Sequence, residues 1–247
     1  MRASGVLILL WLAGLVSPSL ASAGGTDPLA LTPEARFWFR QRVAAKGDAE
    51  QRLRALAAAM TLPGGLDLRE DRRTRTASET FEARRGNCVG FAFLFVAAAR
   101  ELGLPAYFVL SETVEERGRR DDLVVEDLHL AAAYGPPDRP MVFDLGTEDR
   151  PGASFRPISD LTASAIFYSN RGVELLQAKN EERALELLEI AVEQAPNLPL
   201  IWTNLGVIRR RLGDTAGADA AFRQAILLAP DSLAAWKNLA LLLDASP

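Results

Sequence analysis

Gly86-Asn87-Cys88-Val89-Gly90-Phe91-Ala92-Phe93-Leu94 runs from a polar turn into an apolar helix, and the join carries the sole cysteine of 247 residues. Val89 to Ala99 are apolar or small almost without a break, and Gly103 before Leu104-Pro105 stops the helix. A helix apolar on every side belongs inside a fold rather than on its surface. A thiol in its first turn meets unpaired backbone N–H groups and the positive end of the helix dipole, and both favour the thiolate. The chain also has one histidine, His129, and Asp144 follows it in a separate apolar run. One thiol, one imidazole and one carboxylate on separate elements are the smallest set that supports thiol-based acyl chemistry. Each has a plainer role open to it: a small buried hydrophobe, a hydrogen-bonded strand histidine, a turn aspartate.

Upstream of this stretch, Thr32-Pro33 opens a helical segment with Phe37, Val43, Leu53, Leu56 and Met60 at helical spacing, broken near Gly47-Asp48. Pro63-Gly64-Gly65 ends it, Asp67 to Arg75 predicts an exposed charged loop, and Ser78 to Arg84 a short helix. Downstream, Ala106 to Leu110 predicts a strand and Ser111 to Asp122 an exposed connection. Leu123 to Tyr134 predicts a second strand and Met141 to Leu145 a third, joined by Gly135-Pro136-Pro137 and therefore antiparallel. This half, residues 24–157, is α+β: a central buried helix on a small antiparallel sheet. Pro151 to Pro157 is turn-rich and marks the boundary.

Residues 158–247 repeat themselves. Tyr168, Trp202 and Trp236 are 34 apart, as are Gly172, Gly206 and Ala240. Ala184 and Ala218, Ala191 and Ala225, and Pro196 and Pro230 keep the same interval. A 34-residue period with aromatic, small and proline landmarks is that of tetratricopeptide repeats. It predicts an all-α module of two full repeats, from about Ala165 to Leu198 and Pro199 to Ser232, plus a capping helix from Leu233 to Asp244. Asn170, Asn204 and Asn238 recur on successive first helices. They either line a groove that binds an extended peptide of a protein partner or brace neighbouring helices.

Composition narrows the rest. Residues that are 49% apolar and 24% charged build a core and exclude global disorder. Residues 1–23 have a positive start at Arg2, an apolar stretch from Val6 to Val16 and a small-residue site at Ala21-Ser22-Ala23, the pattern of a cleaved signal peptide. The apolar stretch is short for a span, so no stable membrane span is expected after cleavage, and the mature protein is expected to be periplasmic or secreted. Loss of Arg2 leaves 27 basic against 32 acidic residues, a net charge of −5 that gives nucleic acid no foothold. In an oxidising compartment a lone cysteine makes no internal disulfide, so Cys88 is either inert or kept for its reactivity. One cysteine and one histidine are too few soft ligands for a metal site, and no cofactor is expected.

The opening stretch, continued by Ala99-Arg100-Glu101-Leu102-Gly103-Leu104-Pro105-Ala106, resembles the core of the transglutaminase-like superfamily. The resemblance covers about residues 75 to 147. It implies a papain-like triad of Cys88, His129 in Asp127-Leu128-His129-Leu130-Ala131, and Asp144 in Val142-Phe143-Asp144-Leu145-Gly146. In that chemistry Cys88 attacks an amide or thioester carbonyl of a protein or peptide substrate, His129 moves the proton, and Asp144 orients the imidazole. The backbone N–H of Cys88 would stabilise the oxyanion, with Asn87 the candidate second donor. Many relatives carry a small residue and a tryptophan after the histidine. Here Leu130, Ala131, Ala132 and Ala133 follow it, which predicts an altered substrate-facing wall. Two functions therefore fit: an exported thiol-dependent amide or peptide hydrolase or acyl transferase with a protein-binding repeat module, or a catalytically inactive envelope adaptor that works through its repeats.

Overall fold

A computed structural model describes residues 27–111, 115–120, 123–127, 129–145 and 154–244. The signal peptide expected over residues 1–23 lies outside the described residues. The preceding helices and the main sheet pack around the helix that begins at the cysteine, α4 (Cys88–Glu101). Asn87 caps it, its side chain accepting from the Gly90 N–H at 3.0 Å. Val89 through Ala99 are all buried, and Gly103 leaves the helix at φ 69°.

Three helices precede it: α1 (Pro33–Arg42), α2 (Ala49–Thr61) and α3 (Ala77–Ala83). α1 buries Ala35 and Phe39, one turn apart, while Phe37 falls on the opposite side and is 67% exposed. The expected helical spacing was therefore out of phase at Phe37. α3 opens with a capping box between Thr76 and Glu79 and lies so close to α4 that a Cβ on Gly90 would sit 2.8 Å from the Thr80 hydroxyl. Two short strands, β1 (Arg69–Glu70) and β2 (Arg85–Gly86), pair in parallel and tie the charged loop to the turn before Cys88.

The main sheet has the order β7-β6-β3-β8, antiparallel throughout: β3 (Tyr107–Ser111), β6 (Leu130–Tyr134), β7 (Met141–Phe143) and β8 (Phe155–Ile158). Alternation divides its faces. Phe108, Leu110, Leu130, Ala132 and Phe143 join the main core, whereas Val109, Ala131 and Ala133 form a second small cluster with Tyr107, Val142 and Phe155. Two expectations need correction. The single strand expected over Leu123 to Tyr134 is two, because β5 (Leu123–Asp127) leaves the sheet to pair with β4 (Glu115–Arg120) in a separate hairpin. The turn-rich segment before the repeats supplies β8, an edge strand, where Pro157 removes no needed donor.

The C-terminal helices pair as α5 (Asp160–Gln177) with α6 (Glu181–Gln194) and α7 (Pro199–Arg211) with α8 (Thr215–Leu228), followed by α9 (Leu233–Asp244). The period is visible in the bonding: the Trp202 indole donates to the Pro196 carbonyl at 2.8 Å, and Trp236 to the Pro230 carbonyl at 2.9 Å. Gly206 is where paired helices touch, since a Cβ there would lie 2.5 Å from the Phe222 ring. The halves share one core, which runs from Leu31 to Leu242. Phe93 of α4 sets its ring centroid 4.9 Å from Phe108 and 5.7 Å from Phe167 of α5. Arg100 also makes a two-pronged ion pair with Asp160 at 2.6 and 2.9 Å.

Candidate active site

The fold delivers three side chains to one place by three separate devices. Cys88 is the first residue of α4 and is half-buried. His129 lies one residue before β6, its carbonyl pinned by the Ser111 N–H at 2.9 Å. Asp144 lies one residue after β7. Ala132 faces Phe143 across the pair, so the continued register sets Asp144 and His129 as diagonal neighbours.

The side chains meet accordingly. His129 Nε2 hydrogen-bonds Asp144 Oδ2, and Asp144 Oδ1 accepts from the Leu145 N–H at 2.7 Å. The side chain of Asp144 is 3% exposed and that of His129 13%. The Cys88 side chain also lies within hydrogen-bonding reach of the ring. Burial works against a charged ring here. The bonds to Asp144 and Cys88, with their negative charge, outweigh it and push His129 up to about 9. His129 is therefore a cation at neutral pH, held between an acceptor carboxylate and a sulfur. Phe155 closes one side, ring centroids 6.5 Å apart and edge-on.

This shift has a stability consequence with a definite sign. A group whose pKa rises from 6.5 to about 9 on folding stabilises the fold fully below pH 6.5 and loses that contribution as pH climbs through 9. Urea unfolding is expected to show wild type losing about 1–2 kcal/mol between pH 6 and pH 9.5, solvent screening included, relative to His129→Gln. Equal pH dependence in both proteins would contradict the charged ring.

Other expectations resolve differently. Asn87 acts as the helix cap, accepting from the Gly90 N–H and donating one Nδ2 hydrogen to Thr74 Oγ1 at 2.8 Å. Leu130, Ala131, Ala132 and Ala133 have no exposed surface and pack within the sheet, so they form no substrate-facing wall. Asn204 is buried and donates to Ser169 Oγ at 2.9 Å, Asn238 is fully buried, and Asn170 is half-buried. Through that bond Asn204 braces successive first helices. Sequence reasoning passed over Thr74, Arg171 and Glu174, which meet directly behind Asn87. Arg171 and Glu174 stand about a hundred residues from Thr74, and no local pattern marks them.

Among known families, residues 38–134 match the model of the transglutaminase-like superfamily, and residues 200–232 that of the tetratricopeptide repeat. The chain carries a transglutaminase-like domain followed by tetratricopeptide repeat. The match to the transglutaminase-like domain takes in Cys88 and His129 and ends before Asp144. Over 72 residues the chain is 32% identical to the protein FlbA of Caulobacter vibrioides. That stretch is 29% of this chain and 12% of FlbA, so the chain spans a small part of that relative. The tetratricopeptide part is a protein-interaction module. Among the described residues no helix is long and apolar enough to cross a membrane, and no three or more His, Cys, Asp or Glu side chains are arranged so that they could hold a metal ion.

Proposed function

We propose that this protein is an exported thiol-dependent amide hydrolase or acyl transferase whose repeats bind a protein partner. The observation that carries the reading is the His129 ring held between the Asp144 carboxylate and the Cys88 sulfur at the start of a buried helix. A cationic ring facing a sulfur selects the thiolate. The Cys88 sulfur adds to the carbonyl carbon of an amide, and the oxygen gathers negative charge at the helix N-terminus, where the Cys88 N–H has no intrahelical acceptor. The C–N bond breaks as His129 gives its proton to the leaving amine, and a thioester remains on Cys88. Water or a second amine then attacks, His129 takes the proton of the attacking group, and the sulfur leaves as thiolate. Asp144 holds the ring in place through both halves of the cycle. Residues 1–23 support export to the periplasm or beyond. A mature N-terminus near Gly24 is the expected mark, and a retained Met1 would contradict it.

The test uses the full chain with glutamine-containing peptides and denatured proteins, with and without an added primary amine. Release of ammonia or new termini, or incorporation of the amine, is expected in wild type and absent in Cys88→Ala. A panel with no Cys88-dependent product in any arm would favour the non-catalytic envelope adaptor, with the repeats as its working part.

A further inference from the structure

Thr74 is 1% exposed and sits in the loop between β1 and α3, yet it is held from the repeat half of the molecule. Its N–H donates to Glu174 Oε1 at 2.6 Å, and its carbonyl accepts from Arg171 Nη1 at 3.0 Å. Both partners lie on α5, about a hundred residues further along the chain. The Thr74 hydroxyl accepts from Asn87 Nδ2 at 2.8 Å and also faces the Glu174 carboxylate. Asn87 in turn accepts from the Gly90 N–H and so closes the first turn of α4, where Cys88 is the first residue. Hydrogen bonds thus run without a gap from the first repeat helix to the cap beside the nucleophile. A carboxylate in this half-buried place is costly unless well partnered. Burial drives Glu174 upward, and the Thr74 bonds with the Arg171 and Arg75 charges offset only part of that. The contact is therefore a specific one.

We propose that Arg171 and Glu174 are positioning residues for the Cys88 thiol: by clamping Thr74 they fix the Asn87 cap, and through it the placement of the sulfur against His129. The proposal rests on the functional reading above. It makes the repeat half part of the site's construction, so that whatever shifts α5 alters the reactivity of Cys88.

The experiment measures the rate constant for iodoacetamide alkylation of Cys88 from pH 5 to 9 in the full chain, together with thermal unfolding. Glu174→Leu removes the acceptor and Glu174→Gln keeps it; Thr74→Val removes the hydroxyl and Thr74→Ser keeps it. Loosening one cap by about 1 unit in log K predicts rates at pH 6 that fall about fivefold to tenfold in Glu174→Leu and Thr74→Val. Glu174→Gln and Thr74→Ser should stay near wild type. A purely structural clamp would lower the melting temperature and leave the alkylation rate of the folded protein unchanged, and that result overturns the proposal. Should Glu174→Leu fail to fold, Arg171→Met carries the same expectation. A wild-type rate indifferent to His129→Ala would overturn the functional reading and this inference together. A rate that depends on His129 but not on Glu174 or Thr74 would overturn this inference alone.

Discussion

His129→Ala is expected to lower the alkylation rate of Cys88 by iodoacetamide at pH 6 about tenfold or more, and to turn a shallow pH profile into one that climbs steeply towards pH 9. The size follows from two opposed effects. A cation beside a sulfur makes it more reactive, and His129→Ala removes that cation. The sulfur that remains is intrinsically more nucleophilic, because nucleophilicity rises with basicity at a slope of about 0.4–0.5, and this returns part of the loss. Asp144→Asn should give a smaller loss in the same direction, because its amide still reaches the ring but no longer carries the charge that holds the proton. Superimposable profiles for wild type and His129→Ala would leave Cys88 an ordinary thiol.

Phe93→Ala is expected to cost about 3–5 kcal/mol and to lower a single unfolding transition rather than one of two. Phe93 is fully buried, and its ring touches Phe108 of β3 and Phe167 of α5. The truncation therefore empties volume shared by the central helix, the sheet and the first repeat helix. Urea unfolding followed by circular dichroism and by tryptophan fluorescence should shift together, since Trp38 lies in the first half and Trp202 and Trp236 in the second. Fluorescence and dichroism midpoints that separate in the variant, or a loss below about 1 kcal/mol, would show that the halves are independent.

What the sequence made legible was local. An apolar run after Cys88 predicts a buried helix whatever surrounds it, and a 34-residue recurrence needs no knowledge of contacts. His129 could be singled out as the one histidine of the chain, and Asp144 through the resemblance of its surroundings to the transglutaminase-like core. The antiparallel pairing across Gly135-Pro136-Pro137 was legible, but the other pairings were not. Leu123 to Tyr134 has continuous strand character, and only the competition between β4 and β3 for partners divides it at His129. Pro157 signals a break, yet at a sheet edge it costs no ladder bond. The asparagine ladder was visible as a pattern, but a pattern does not state whether an amide faces a groove or, like Asn204, a serine on the first helix of the preceding repeat. The clamp on Thr74 left no trace at all, since Glu174 is one carboxylate among many until the chain folds.

The most direct measurement is the intact mass of the protein quenched after brief exposure to p-nitrophenyl acetate at neutral pH, with the modified residue located by peptide mapping. The account predicts one acetyl group on Cys88 in wild type, cleared on standing by water or by an added amine, and little or none in His129→Ala. Acetylation spread over lysines, or equal at Cys88 in both proteins, would contradict it.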